Sequence, residues 1–405
     1  MPTIYEPGRF CQALRNGDTV WYEAGVFDAQ HEALRLIYPV DEILEVRSAD
    51  FSRVYLPGRD YVLENGRVVR TQQSEIPLAF ADTLPIRQAC NETETISDGL
   101  LGEANYYYLD DKRGLRLIRD SEYLDQAVLV SYRHSRCDRE GYQNEPTEIT
   151  GTGLPGYFRK LEQGQSVQYL IFGDSALTGA SASGAGMHYR LFDRESRPMP
   201  FRTGFGGRIP PFFEMFADEA ARRYGGEYRL WNLAVGGMTS QWGREALSER
   251  LDTAKLPEGG TPNLALIGFF ANDFGSDRID APQYGEALSA IIRTLREKYP
   301  DIGIILLTGY PCNERCVRYH RPAKKEAMQR ISRELAEKTE NCLCVNTGRF
   351  LDRVLCQKRH REFLANNINH GGDFLQMLWA QSLCEILPDR GKNPEKGLDK
   401  PRDNE

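Results

Sequence analysis

The sequence predicts a C-terminal α/β domain of three layers behind an N-terminal β-rich domain of the sandwich or jelly-roll type. From about residue 165, apolar strand candidates alternate with amphipathic helical stretches, as in a parallel sheet covered on both faces. Before residue 150, short strand candidates follow one another with Gly, Asp and Pro between them, as in antiparallel sheets. The predicted domains are residues 1–155 and 156–390, and the charged tail 391–405 is expected to be disordered.

The composition is that of a soluble globular protein, with 405 residues, 40% hydrophobic and 27% charged. A net charge of -7 argues against nucleic acid or an anionic membrane as a partner. No apolar run approaches the roughly 20 residues of a membrane span, and the N-terminus does not resemble a secretory signal, so we expect a cytoplasmic protein. Nine cysteines without zinc-site spacing predict free thiols and no metal site. No cofactor is expected. The oligomeric state is left open.

The N-terminal half contains one strong hairpin signal, "YVLENGRVVR" at residues 61–70. Asn65-Gly66 there supplies the positive φ angles that a tight turn between two strands requires. A short helix is predicted near residues 29–35. The other strand candidates are "EILEVRS", "NYYYL", "LRLIRD" and "AVLVSYRHS".

The C-terminal half contains helices with recognisable ends. The helix predicted at 209–224 opens on Pro210-Pro211 and closes on Gly225-Gly226, residues that favour a first turn and a helix end. Apolar residues lie on one helical face at 282–298 and again after Pro322. The strands predicted between these helices are "VQYLIF", "YRLWNLAV", "NLALIGFF", "IGIILLT" and "CLCVN".

Candidate catalytic residues follow the predicted strands at their carboxyl ends, where open α/β sheets bind ligands. Ser175 ends the first strand in "GDS", and Gly237 follows the second in "NLAVGGMTS". Asn272 follows the third in "FFANDFG", and His370 stands before the last helix in "NNINHGGDF". A serine, backbone amides beside glycines, an amide side chain and a histidine supply a nucleophile, oxyanion donors and a general base for acyl transfer.

These four blocks, in this order across residues 168–388, resemble the SGNH hydrolases, the GDSL family of esterases and lipases. The resemblance implies a flavodoxin-like sheet and a serine esterase in which Ser175 attacks the ester and His370 transfers the proton. It also implies that the amides of Ser175 and Gly237, with the Asn272 side chain, hold the oxyanion. The arrangement is similar to two-domain carbohydrate esterases, so a short acyl ester, first of all an acetyl ester, of a small carbohydrate is the expected substrate.

The chain departs from the family pattern at two positions. Asn367 stands three residues before the histidine, where the family usually has Asp; its amide oxygen can accept a bond from the ring but brings no charge. Either a Ser-His dyad with a backbone-oriented histidine or another carboxylate would then operate. Asp373 is the nearest in sequence, although the pattern favours it as a helix cap. Phe270 replaces a usual glycine and is expected to narrow the acyl side of the pocket.

Other interpretations remain open. Trp242 is either a platform for a sugar ring or a residue that packs its helix. The long segment 180–207 is expected to form a wall or lid of the pocket. The same residues could serve a lipid or thioester hydrolase or an acetyltransferase, and Asn367 leaves room for a carbohydrate-binding protein without catalysis.

Overall fold

The structure is a computed structural model. It describes residues 18–85, 96–97, 100–101, 106–108, 113–118, 120–135, 147–184, 209–254, 260–316, 318–356 and 358–388. The predicted tail, 391–405, lies outside the described residues, as does the predicted lid from residue 185 onwards.

The described residues of the N-terminal half form three antiparallel sheets. The first consists of β1 (Thr19–Val26), β11 (Ala127–Arg133) and β3 (Glu42–Ser48), in that order. The second consists of β2 (Ala33–Leu34), β5 (Arg67–Arg70) and β4 (Tyr61–Glu64). The third consists of β6 (Thr83–Pro85), β10 (Arg113–Arg116), β9 (Tyr106–Tyr108), β8 (Leu100–Leu101) and β7 (Ile96–Ser97). Helix α1 (Asp120–Gln126) directly precedes β11.

The predicted hairpin is confirmed, because β4 pairs with β5 across Asn65 and Gly66, whose φ angles are 50° and 72°. The helix predicted near residues 29–35 is wrong. The end of that segment forms β2, which pairs Leu34 with Val68 and buries the leucine side chain to 1% exposure. Pairing with a distant strand therefore overrides the weak local helix signal.

The C-terminal half is built on a six-stranded mixed sheet. Its order is β12 (Glu148–Gly151), β17 (Cys342–Asn346), β16 (Gly303–Thr308), β15 (Leu264–Gly268), β13 (Val167–Gly173) and β14 (Tyr228–Asn232). The pairs from β17 to β14 are parallel, whereas β12 is antiparallel to β17. The α/β fold class is thus confirmed. The domain boundary at 155/156 stays a prediction, and β12, just before it, belongs to the larger sheet.

Helices cover this sheet in two groups. In one, α4 (Ser240–Thr253) packs on α6 (Ala281–Lys298) and α6 on α7 (Pro322–Lys338); in the other, α3 (Phe212–Tyr224) packs on α10 (Asp373–Cys384). Asp280 begins α6 with a capping box shared with Gln283. Within the described ranges, no helix combines the length and apolar character needed to cross a bilayer. Other helices of this half are α2 (Pro155–Glu162), α5 (Ala271–Phe274), α8 (Gly348–Leu355) and α9 (His360–Phe363).

A buried ion pair joins the two halves. The Lys358 ammonium lies 2.8 Å from the Glu23 carboxylate, and both side chains are 0% exposed. Glu23, on β1, also accepts hydrogen bonds from the Tyr132 hydroxyl at 2.7 Å and the Ile37 amide at 2.9 Å. This charge is therefore compensated by a partner that comes from the segment just before α9.

Candidate active site

The nucleophile candidate Ser175 lies on the turn that directly follows β13. A Cβ atom on Gly173 would lie 1.9 Å from the carbonyl oxygen of Gly268 on β15, so any larger residue would push the two strands apart. Glycine at both positions lets the strands end in close contact. The half-buried Ser175 therefore lies at the carboxyl edge of the sheet.

The structure brings Ser175 and His370 together. The serine Oγ and the histidine Nε2 are 2.9 Å apart, although 195 positions separate the two residues. His370 comes from the loop between α9 and α10, and the side-chain oxygen of Asn366 accepts the backbone N–H groups of three residues of that loop. They are Ile368 at 3.0 Å, Asn369 at 2.8 Å and His370 at 2.8 Å.

Two buried carboxyl groups tie the chain segments of the site together. Asp174 accepts the backbone N–H of Ala176 at 3.0 Å and of Phe270 at 2.8 Å. Burial raises its pKa to about 7, and these two bonds act in the opposite direction. Asp273 accepts the amide of Ser240 at 2.9 Å and also its hydroxyl, and burial raises the pKa of Asp273 to about 6 against these bonds. Both carboxyls thus have structural partners beside the nucleophile turn.

The predicted oxyanion donors lie on three neighbouring segments: the turn after β13, the loop after β14 and the short helix α5. Gly237 has a φ of 79°, and a Cβ on its neighbour Gly236 would lie 3.7 Å from Cβ of Ser175. The Asn272 side-chain nitrogen donates to the carbonyl of Met238 at 3.1 Å, which connects the third block to the second. The loops of the predicted hole are therefore held to each other. The oxyanion role of Ser175, Gly237 and Asn272 stays a prediction.

The predicted substrate-binding aromatics have packing contacts. Phe270 is 3% exposed and stacks on Tyr310 with ring centroids 5.1 Å apart. Trp242 stacks on Phe172 at 5.8 Å, and the Arg250 guanidinium lies over its ring at 5.4 Å. These contacts are those of a residue that packs α4 against β13, the second of the two interpretations of Trp242. The substrate-binding roles of both aromatics stay predictions.

The hydrogen bonds of the Asn367 side chain lead away from the nucleophile. Its nitrogen donates to the Arg116 carbonyl at 3.0 Å, and its oxygen accepts from Asn313 at 3.3 Å. Asp373 lies in the first turn of α10, one residue after the cap, which corrects the expectation that it caps this helix. Its carboxylate accepts the backbone N–H of Ser183 at 2.8 Å, so it supports the segment after the nucleophile.

Sequence reasoning missed three residues that hold the histidine loop: Asn366, Asn313 and Tyr310. The Tyr310 hydroxyl accepts a hydrogen bond from the backbone N–H of Gly371 at 2.7 Å. The backbone N–H of Asn313 donates to the Ile368 carbonyl at 2.7 Å. The two asparagines had a local signal, because asparagine in irregular segments often accepts backbone amides two or three positions further on, as Asn313 does from Arg315 at 3.0 Å. The bonds of Asn313 and Tyr310 to the loop had none. These two contacts depend on tertiary structure.

A cavity of about 610 Å³ lies elsewhere, beyond the carboxyl ends of β16 and β17. Its lining comes from residues within 311–333 and 346–363, with Glu148, and includes opposite charges such as Lys325 and Asp352. The pair Ser175 and His370 does not line it.

A serine and a histidine in hydrogen-bond contact at the carboxyl edge of an α/β sheet form the arrangement that serine hydrolases use. Residues 171–368 match the sequence model of the GDSL-like Lipase/Acylhydrolase family. The match agrees with the predicted family and supports the predicted enzyme class, a carboxylic ester hydrolase. The matched segment includes Ser175, Gly237 and Asn272 and ends shortly before His370.

Solved structures with related folds share little sequence with this chain, and no curated protein matches it. A two-domain esterase (CEX) active on acetylated mannans is 15% identical with a TM-score of 0.41, over 59% of this chain and 55% of its own. A variant of the acetyl xylan esterase Axe2 from Geobacillus stearothermophilus is 19% identical with a TM-score of 0.40, over 56% and 96%. A putative GDSL-like lipase from Parabacteroides merdae is 16% identical with a TM-score of 0.38, over 55% and 95%. The match thus spans about half of the two-domain esterase.

Proposed function

We propose that this protein hydrolyses short-chain acyl esters, first of all acetyl esters, by nucleophilic attack of Ser175 with His370 as general base. The observation that carries the proposal is the 2.9 Å contact between the serine Oγ and the histidine Nε2. This separation lies within the reach that proton transfer between a nucleophile and its base requires.

In the proposed mechanism, Ser175 Oγ attacks the ester carbonyl while its proton moves to His370 Nε2. The oxyanion accepts hydrogen bonds from the amides of Ser175 and Gly237 and from the Asn272 side chain. When the tetrahedral intermediate collapses, the C–O bond to the alcohol breaks and Nε2 returns the proton to that oxygen. Water then attacks the acyl-serine with His370 again as base and releases the carboxylic acid. Proton transfer of this kind accelerates reactions by about 10²–10⁴-fold.

The proposed preference for short acyl chains rests on the residues around the nucleophile. Ala176, buried to 3% exposure, follows Ser175 directly, and Phe270 is fixed by its bond to Asp174 and its stacking. The proposed alcohol is a small carbohydrate, an inference that rests on the resemblance to two-domain carbohydrate esterases. We therefore propose that the substrate is a small acylated molecule and that the protein acts on it in the cytoplasm.

We expect hydrolysis of p-nitrophenyl esters to fall from acetate to butyrate to octanoate, because the small side chain of Ala176 admits an acyl group beside the nucleophile, whereas the fixed ring of Phe270 limits its length. The measurement is kcat/KM for each ester, with mass spectrometry of the protein after treatment with an organophosphonate, which should label Ser175. Ser289→Ala is the control for both measurements: Ser289 is an exposed serine of α6, so this variant should keep the turnover and the label of the wild type. Rates that rise towards octanoate would favour a lipid hydrolase. Absence of both turnover and label would favour a binding protein.

We expect Asn272→Ala to lower kcat by about 10²–10³-fold with little change in KM, as loss of one oxyanion donor does. Asn263→Ala is the control. Asn263 lies just before β15, at the opposite end of this strand from Asn272, and its side-chain oxygen accepts the backbone N–H of Gln168 at 3.0 Å. Steady-state kinetics with acetate esters would decide the point. Equal effects of the two substitutions, or an effect on KM alone, would remove Asn272 from the oxyanion hole.

A further inference from the structure

The loop that carries His370 is organised by its own residues and by the sheet beneath it. It connects α9 to α10, and a β-bridge joins Leu364 to Gly371 across its base. The Asn366 oxygen gathers three successive backbone amides inside the loop. The loop is therefore a compact unit, and its position relative to Ser175 depends on what holds it from outside.

The N-terminal half contacts this loop directly. The Ile118 amide donates to the Asn366 carbonyl at 3.0 Å, and the Asn367 side chain donates to the Arg116 carbonyl at 3.0 Å. The second of these bonds spans 251 positions in the sequence. Asn366 is 6% exposed and Asn367 0% exposed, so the bonds are made away from water, where an unpaired partner would be costly. The end of β10 thus pairs with the loop at the residues just before the histidine.

Asn367 connects this contact to the central sheet. Asn313, 1% exposed in the segment after β16, donates to the Asn367 carbonyl at 2.7 Å and to its side-chain oxygen at 3.3 Å. The side chain of Asn367 thus accepts on one side and donates on the other, a combination that an amide provides and a carboxylate does not. Its φ of 63° lies in the left-handed region, which asparagine adopts more readily than most residues.

Helix α9, immediately before the loop, is fixed to the same half. The Arg361 guanidinium donates to the Phe80 carbonyl at 2.6 Å and to the Gln126 side chain at 3.1 Å. The carboxylate of Glu362 accepts the Val26 amide at 3.3 Å. Both the helix and the loop are therefore bonded to the N-terminal half.

We propose that the N-terminal half holds His370 in register with Ser175 through the bonds of Arg116 and Ile118 to the histidine loop. In this arrangement Asn367 is the positioning residue of the contact and not the acid of a catalytic triad. The inference rests on the proposed function. It gives the β-rich half a part in catalysis without contact with the substrate: it fixes the distance over which the proton moves.

The test is Asn367→Asp, which would restore a family-like acid by sequence but would set a carboxylate against the Arg116 carbonyl oxygen. We expect kcat for an acetate ester to fall by about 10²-fold at pH 8, since a small misplacement of a catalytic group has effects of that size. We also expect the activity relative to wild type to recover as the pH is lowered towards 5. A protonated carboxyl can donate to the carbonyl as the amide does. A triad acid would give the opposite slope, because its carboxylate form would be the active one.

The matched control is Asn341→Asp. Asn341 also has a left-handed backbone, with φ 51°, and its amide also donates to a carbonyl, that of Asp301 at 3.0 Å, at the opposite edge of the sheet. Each kcat is referred to sites titrated with organophosphonate, so that unfolded protein does not count. If Asn367→Asp does not fold, Arg361→Met removes two other bonds to the N-terminal half and should also lower kcat at unchanged KM.

Three outcomes would overturn the inference: wild-type kcat in Asn367→Asp, relative activity that falls with falling pH, or equal losses in Asn367→Asp and Asn341→Asp. Wild-type protein without any serine-dependent turnover would instead overturn the proposed function on which the inference rests. The two failures are therefore distinguishable.

Discussion

Replacement of Ser175 by Ala should lower kcat for p-nitrophenyl acetate by about 10⁴-fold or more, and His370→Ala should do the same. The two side chains are 2.9 Å apart and act on one proton, so each is of little use without the other. For this reason the double variant should lose no more than either single one. If the fold-reductions in kcat of the two single variants multiplied in the double variant, Ser175 and His370 would contribute independently and not as a pair.

The measurement needs care, because residual hydrolysis at this level can come from traces of wild-type enzyme. Titration of active sites with an organophosphonate separates the two, since contaminating enzyme is labelled at its serine and the Ser175→Ala variant is not. Ser175→Cys is a useful further variant, because a thiolate keeps a nucleophile at the same position. Retention of wild-type turnover by Ser175→Ala would place the chemistry at another residue.

Replacement of Lys358 by Met should lower the free energy of unfolding by about 3–5 kcal/mol, the usual effect of leaving one partner of a buried ion pair alone. Burial raises the pKa of Glu23, while the charge and hydrogen bond of Lys358 act in the opposite direction. Without the lysine the neutral carboxyl is favoured further in the folded state. A carboxyl whose pKa is raised in the folded state stabilises the fold at low pH, and this stabilisation is lost as the pH rises and Glu23 must ionise. The destabilisation by Lys358→Met should therefore be larger at pH 8 than at pH 5.

Urea-induced unfolding at both pH values would measure this effect. Lys298→Met is the control: Lys298 pairs with Asp252 at 2.5 Å, but these side chains are 36% and 70% exposed, so the loss should stay below about 1 kcal/mol. The double variant Glu23→Gln with Lys358→Met should recover part of the stability. Glutamine removes the lone charge and still accepts from the Ile37 amide. Equal losses for Lys358→Met and Lys298→Met would contradict the role of the buried pair.

The sequence predicted elements where the local signal is strong. β3 and β17 have the bounds of the predicted segments "EILEVRS" and "CLCVN", and α6 begins one residue before the predicted 282–298. The approach of Ser175 and His370 was also predicted: Ser175 follows a strand at the carboxyl edge of the sheet, and the family resemblance paired it with the histidine before the last helix. The family blocks added the order in which these ends appear along the chain.

The remaining features depend on contacts that no local pattern encodes. The antiparallel pairing of β12 with β17 joins residues that are far apart in the chain, such as Ile149 and Val345. Asn367 was read as a substitute for a family acid, whereas its partners, Arg116 and Asn313, are found only in the folded chain. Where the sequence departs from a family pattern, the physical reason can thus lie in another part of the fold, outside the site.

The position of β12 affects how the chain can be divided. This strand covers one edge of the large sheet, and Thr147 beside it donates through its amide to Glu385, near the other end of the C-terminal half, at 3.0 Å. A fragment that starts after residue 151 would leave the backbone groups of β17 without their neighbour on that side, and exposed strand edges of this kind recruit other chains. A fragment that keeps this sheet edge covered would accordingly have to start ahead of residue 147 and include residues that the predicted boundary assigns to the N-terminal domain.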